Sequence, residues 1–444
     1  MTAGASADSV TVIGAGLAGC EAAWQLARRG VRVTLYEARP AWTSPAHESE
    51  DFAELVCSNS LRAAGPTNAV GLLKEEMRRL GSLVLEAADA CAVPAGRALA
   101  VDRGAFARYV TERVEAERRI EVRREPVESL PDAPLAVIAT GPLTAPPLAD
   151  ALGALLGREH LYFYDAIAPI VYADSIDHDV AFRASRWEDG EGDYLNLPLD
   201  RAGYEAFVAA LVEADPMPLH GHETRLYFEG CLPVEEMARR GPDTLAFGPM
   251  KPVGLVDPRT GRRPHAVVQL RQEDKRGVLY NLVGFQTRLR IEDQRRVLRT
   301  LPGLADAVFA RFGSVHRNTY VNAPAELLPS LELRSRPGLY VTGQLAGVEG
   351  YVESAALGLL TGIQVAQAAQ GLDMRPPPAE TAHAALLRHL AEADPRHFQP
   401  MNVNFGLFPP LPPTGGKIKK AEKHRLLAER ALAALGGWCE EVSP

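Results

Sequence analysis

Two cysteines stand where a thiol can do chemistry. Cys57 lies in Glu54-Leu55-Val56-Cys57-Ser58-Asn59-Ser60-Leu61-Arg62, where an apolar pair meets a thiol and then three small polar residues. Such residues favour turns and helix caps. That context puts the sulfur near free backbone N–H groups and Arg62, which favour thiolate, while Glu54 opposes them. The bland alternative, a small buried apolar residue, stands beside this reading. Cys231 follows Gly230 at the end of a strand-like run, and Pro233, Glu235 and Glu236 then read as the first turn of a helix. A helix dipole and unpaired N–H groups lower a thiol pKa there, with Glu229 partly offsetting them. A thiolate in either place is a nucleophile for electrophilic carbon.

The elements that must position these thiols begin at Ser9–Gly30, SVTVIGAGLAGCEAAWQLARRG. Val10, Val12 and Ile13 make a short strand of the kind buried in a parallel sheet. Gly14-Ala15-Gly16-Leu17-Ala18-Gly19 follows, then a helix over Cys20–Arg29 that stops at Gly30. Gly14 permits the tight turn, Gly16 the approach of a pyrophosphate, and Gly19 close packing of helix on strand. The helix N-terminus offers N–H groups to that anion. Val31–Tyr36 is a second strand ending in Glu37, placed to accept a ribose hydroxyl and to disfavour a 2′-phosphate. The ligand is therefore FAD or NAD. Gly338–Leu360 repeats the strand, glycine loop and helix order through Gly343, Gln344, Gly347, Gly350, Tyr351, Glu353 and Ser354. A late helix end returning to the first sheet suits a flavin, whose reduced ring carries negative charge, and selects FAD.

With 444 residues the chain has room for two or three domains. The division expected is a FAD-binding part over 1–169, an inserted α+β domain over 170–324, and a completing segment with a basic helix over 325–444. Helical patterns cover Gly71–Leu85, Phe106–Arg119, Ala202–Ala214, the basic Gln286–Arg299, and Ala421–Leu435. Five scattered cysteines without CxxC spacing argue against disulfides and against a structural zinc or other metal site, and point to a cytoplasmic protein. No membrane-spanning run or secretory signal is read. The net charge of −8 restricts any RNA contact to local basic patches. Arg288 and Arg290 in one segment, and Lys417, Lys419 and Lys420 in another, are the candidates, against the plainer reading of solvated helix faces.

Several stretches resemble the folate- and FAD-dependent tRNA (uracil-5-)-methyltransferases, which make the T-loop ribothymidine at position 54 of bacterial tRNA. They are GAGLAG (Gly14–Gly19), ELVCSNSLR (Glu54–Arg62), FEGCLPVEEMARRG (Phe228–Gly241) and TRLRIEDQRRVLRTLPGL (Thr287–Leu304). VHRNTYVNAP (Val315–Pro324), GQLAGVEGYVESAA (Gly343–Ala356) and FQPMNVNFGLFPPL (Phe398–Leu411) extend the match along nearly the whole chain. The resemblance implies an α/β fold: a Rossmann-like, glutathione-reductase-like FAD-binding domain with an inserted α+β domain. It implies that Cys57 and Cys231 are catalytic, without dividing their roles. Implied too are FAD as hydride source, 5,10-methylenetetrahydrofolate as carbon donor, NADPH or NADH as reductant, and the tRNA T-arm as substrate, with no membrane or obligate protein partner. His316 and Arg317 become candidates for folate or uracil contacts. Two other readings stand beside it, a related wobble-uridine-modifying flavoprotein and a folate-linked flavin oxidoreductase without RNA.

Overall fold

The computed structural model of the chain describes residues 9–44, 46–157, 161–166, 168–188, 190, 192–217, 232–396, 398–412 and 418–444. Cys231 and Lys417 lie outside these residues, as do the side chains of His316 and Arg317.

Five strands form a wholly parallel sheet in the order Leu339–Val341, Ala136–Ile138, Ser9–Ile13, Arg32–Tyr36, Ile120–Arg123. Val12 pairs with Leu35 on one side and Val137 on the other, and all three are buried, as parallel strands require. Chain order runs outward from Ser9–Ile13 in one direction and then returns to add strands on its other side. That reversal is a switch point, and the crevice beyond the strand ends there is where such sheets bind ligands. The first glycine turn sits in it.

The helix Leu17–Arg28 lies directly against Tyr351–Ala369. Ala18 faces Gly358 and Ala22 faces Gly362, so the two helices run in the same direction. A Cβ on Gly362 would stand 2.7 Å from the Ala22 carbonyl oxygen, so small residues set this close crossing. Both helix N-termini consequently face the same end of the sheet.

A second, antiparallel sheet has the order Phe182–Arg183, Tyr194–Leu199, Ala266–Gln272, Leu279–Leu282, Ile170–Tyr172, Phe309–Arg311. Its core is separate and takes in Tyr204, Phe207 and Leu211 from the helix Arg201–Glu213, whose first turn Asp200 caps. Strands Leu161–Ala166 and Val315–Tyr320 pair antiparallel and carry the chain between the two sheets. Three short strands, Ser60–Ala63, Ala98–Val101 and Ala92–Val93, make a small sheet beside them.

Local patterning and structure part at several places. The single helix expected over Gly71–Leu85 is two, Ala69–Arg79 and Leu83–Ala90. The break lets the buried Glu21 carboxylate accept the Leu83 and Val84 N–H groups, while Ser82 accepts that of Leu85. The C-terminal helix runs on to Val442, because Trp438 and Val442 still reach the core. Among the described residues no helix is long and apolar enough to cross a membrane.

Candidate active site

The first glycine turn is shaped as its spacing predicts. Gly14 has φ +98°, and a Cβ there would come 2.8 Å from the Ala139 carbonyl oxygen. A Cβ on Gly19 would overlap the Gly14 carbonyl oxygen, whereas Gly16 faces open space with nothing within 4 Å. No side chain caps the helix at Gly16, so its first N–H groups remain for an anion. Glu37 is buried and accepts three N–H groups, from Ala15 (3.1 Å) and from Arg39 through backbone (3.1 Å) and side chain (2.8 Å). Burial pushes its carboxyl up, but Arg39 and these donors outweigh that and hold it below the ordinary value. An ionised carboxylate has about four acceptor sites, so room for a ribose hydroxyl survives. Gly14, Gly16, Glu37, Arg39, Trp42 and His47 line one cleft. The open Gly16 face, the uncapped helix and the anchored acid fit the phosphates and ribose of a dinucleotide.

The second glycine turn differs from expectation. Gly350 caps the helix Tyr351–Ala369 at φ +106°, and a Cβ there would stand 2.5 Å from a Glu353 carboxylate oxygen. Glu353 is fully buried, pairs with Arg62 and accepts the Val403 N–H at 3.0 Å. Gln344 donates to Glu349 at 2.8 Å. The Tyr351 hydroxyl accepts the backbone N–H groups of Cys57 (2.6 Å) and Ser58 (3.1 Å). These three side chains, expected to bind cofactor, are engaged within the protein. What the turn still offers a flavin is its backbone and the end of its helix.

Tyr351 therefore anchors the Cys57 loop, and this revises the thiol's surroundings. Cys57 leads into the strand Ser60–Ala63 rather than a helix, and its own N–H is committed to Tyr351. Arg62 turns to Glu353, and Glu54 turns to Arg39 and Ser49. The cations near the sulfur come instead from far along the chain. Arg271, buried on the antiparallel sheet, donates to Ser58 Oγ at 2.7 Å and Asn59 Oδ1 at 2.9 Å. Arg103, the first residue of its helix, bonds Glu273 at 2.8 Å. Both guanidinium groups interact electrostatically with Cys57. Arg311 ties down the Val56 carbonyl at 3.1 Å. Burial, then the neighbouring Cys57, pushes the Tyr351 phenol well above its ordinary pKa, so it stays protonated. The half-buried thiol thus sits where the flavin-side helix meets the antiparallel sheet.

Nearby, Lys74 is fully buried and donates to the carbonyls of Leu61 (2.9 Å) and Arg62 (3.3 Å). Burial, with Arg62 and Arg78, lowers its pKa to about 7. The short polar loop gave no signal for Lys74, Arg103 or Arg271, since each approaches from a distant segment.

The arginine segment separates into individuals. Arg288 is buried, pairs with Glu236 at 2.6 Å and donates to the Met217 carbonyl, so it is an internal tie and not a phosphate contact. Arg290 is exposed just ahead of a helix of only eight residues, Ile291–Leu298. Arg296 pairs with Asp293, and Arg295 lies over Phe312. Lys419 and Lys420 are exposed at the start of the C-terminal helix. His316 and Arg317 fall on the linking strand Val315–Tyr320, opposite Asp165 and Tyr164.

This architecture defines a flavoprotein of the dinucleotide-binding α/β kind. A family described as "Glucose inhibited division protein A" matches residues 9–373. A methylenetetrahydrofolate--tRNA-(uracil-5-)-methyltransferase TrmFO from Desulforudis audaxviator is 59% identical over 433 residues, covering 97% of this chain and 98% of the relative. Its namesake from Geobacter sulfurreducens is 58% identical over 435 residues, covering 98% and 99%. The solved structure of Aquifex aeolicus GidA shares the fold at TM-score 0.72 and 15% identity, over 98% of this chain and 74% of that one. The chain belongs to the glucose inhibited division protein A family and, within it, to the TrmFO-like methyltransferases.

Proposed function

We propose that this protein methylates C5 of uracil in tRNA, taking the carbon from 5,10-methylenetetrahydrofolate and making 5-methyluridine at position 54 of the T-loop in the cytoplasm. The observation that carries the reading is near full-length identity of 59% and 58% to relatives named for the reaction. The nucleotide cleft and the thiol loop of the same molecule supply parts it needs.

C5 of uracil becomes nucleophilic once a thiolate adds at C6, because the electron pair then runs out over C5 and O4 as an enolate. Cys57 and Cys231 are the two thiols, one to attack C6 and the other to assist transfer or move a proton. Arg103 and Arg271 provide positive potential at Cys57, and Tyr351 holds the loop that carries it. As C5 takes the one-carbon unit it gives up its proton and tetrahydrofolate leaves, and once hydride has reached the exocyclic carbon the thiolate leaves C6 to restore the ring. FAD, when bound, supplies the hydride that completes the methyl group, with NADPH or NADH restoring it. The base must leave its stack to reach the sulfur, so the RNA needs anchoring elsewhere. Arg290, Lys417, Lys419 and Lys420 are the proposed phosphate contacts, and His316 and Arg317 the proposed folate or uracil contacts.

The test supplies methylenetetrahydrofolate labelled in its methylene carbon, unmodified tRNA, NADPH and the purified protein. Label recovered as 5-methyluridine in the T-loop is the expected outcome. Label in the anticodon arm, or none in RNA from protein whose flavin is reducible, overturns the assignment. Full activity in both Cys57→Ala and Cys231→Ala would remove the thiols from the mechanism.

A further inference from the structure

Away from the thiol and the nucleotide cleft, a groove of about 320 Å³ opens between the small three-stranded sheet and the antiparallel sheet. Ala63, Arg97, Arg186, Trp187, Tyr194 and Gln269 line it. Trp187 is 67% exposed, and its backbone is left-handed at φ +64°, an outlier for a bulky residue. Gly254 lies beneath it: a Cβ there would stand 3.0 Å from Cε2 and 3.1 Å from Cδ2 of the indole. Those two atoms form the fused bond, inside the ring outline, so the approach is onto the face. One face of the indole is thus seated on a glycine, while the residue as a whole stays exposed. Backbone strain that keeps an aromatic ring exposed is the kind a fold retains for binding.

The cations beside the ring are differently poised. Arg186 is fixed by Gln269 Oε1 at 2.9 Å and the Val253 carbonyl at 2.7 Å. Arg97 has a side chain 78% exposed and lies 3.7 Å from Glu188, a loose surface pair that a phosphate can displace. An exposed aromatic face flanked by arginines is how proteins hold unstacked bases of single strands and loops. The location agrees. Ala63 ends the strand that starts three residues after Cys57, and six residues of extended chain span at most ~20 Å. At ~3.4 Å per stacked nucleotide, that reach corresponds to about six nucleotides.

Resting on the proposed tRNA activity, we infer that Trp187 is a stacking platform for an unpaired base of the same RNA arm whose uracil reaches Cys57, with Arg97 on its phosphate. The partner is RNA rather than a protein surface because a phosphate can compete with Glu188 for the exposed Arg97 beside the open ring, in a groove that the strand following the thiol also lines.

The test compares Trp187→Gly and Trp187→Phe by filter binding of unmodified tRNA, methylation kinetics, flavin content and melting temperature. Glycine relieves the left-handed strain, so that variant keeps or raises its melting temperature and its flavin content. Its tRNA affinity falls roughly ten- to a hundredfold, the KM for tRNA rises in step, and kcat changes little. Phenylalanine restores most of the affinity, and Arg97→Ala flattens the salt dependence of binding by about one contact. A glycine variant that binds tRNA like the wild type overturns the platform. So does one whose self-association changes while tRNA affinity does not. Wild-type protein that neither binds nor labels tRNA overturns the proposed function itself, and the platform with it.

Discussion

The two glycine-rich turns open helices that lie side by side and face the same end of one sheet, yet they do different work. At Gly14–Gly19 the polar groups look outward: Gly16 borders open space, the helix end has no side-chain cap, and Glu37 keeps an acceptor site. At Gly343–Tyr351 the side chains look inward. Glu353 holds Arg62, Gln344 holds Glu349, and Tyr351 holds the Cys57 loop. The first turn leaves its backbone donors open, and the second fastens the thiol segment to the parallel-sheet scaffold. Strand, glycines and helix announce where an anion-binding helix end lies. They do not say which neighbours its side chains serve.

The sharpest break of this contrast lies within the first turn. Gly19→Ala forces a methyl into the Gly14 carbonyl, and should cost on the order of 3 kcal/mol with loss of soluble, flavin-bearing protein. Gly16→Ala should melt like the wild type but lose flavin on dialysis, because only the ligand occupies that space. Equal melting temperatures for the two variants would refute the division of roles.

Next in size is the buried pair at the second turn. Arg62→Ala leaves the Glu353 carboxylate buried without its cation and should destabilise by roughly 3 kcal/mol. Glu353→Gln should cost less, since the Arg62 side chain is 37% exposed and can turn to water. Urea unfolding of both variants gives the order, and the reverse order would mean the carboxylate is not the member at risk.

Tyr351→Phe removes the acceptor of two backbone N–H groups and should cost about 1–2 kcal/mol. Methylation should slow at least tenfold in single turnover while flavin content stays unchanged. Lost flavin with normal transfer in the remaining holoenzyme would return Tyr351 to the cofactor.

The smallest effect is a slope. Folded Lys74 titrates near pH 7, lowered chiefly by burial, from 10.5 in the open chain. Between those values the unfolded chain holds a proton that the folded one lacks, so raising the pH favours folding. Wild type should therefore gain stability over Lys74→Met from about pH 7 upward, by no more than ~1.4 kcal/mol per pH unit. Parallel stability curves from pH 6 to 9 would show that Lys74 stays charged.

The first turn was legible because every feature it needs lies within one short stretch and acts through the backbone. The thiol loop was half legible. Its sequence marked Cys57, but Arg62 and Glu54, the charged neighbours in sequence, both face elsewhere. Arg288 misled in the same way: a basic run reads as a solvated face until one member is found buried on Glu236. The helix break at Gly81 escaped because apolar spacing continues across it, and only Glu21, from another helix, rewards the stop.

Sequence alone determined the parallel sheet, its glycine turn, the acid that closes the nucleotide cleft and the thiol at Cys57, since backbone freedom and strand patterning are local properties. Tertiary structure alone decided which charges surround that thiol. Arg271 meets Ser58 across 213 residues of chain, and Tyr351 meets Cys57 across 294. The first pairing depends on where two separately formed cores dock and the second on how remote segments fold onto one core, and no local spacing of residues encodes either.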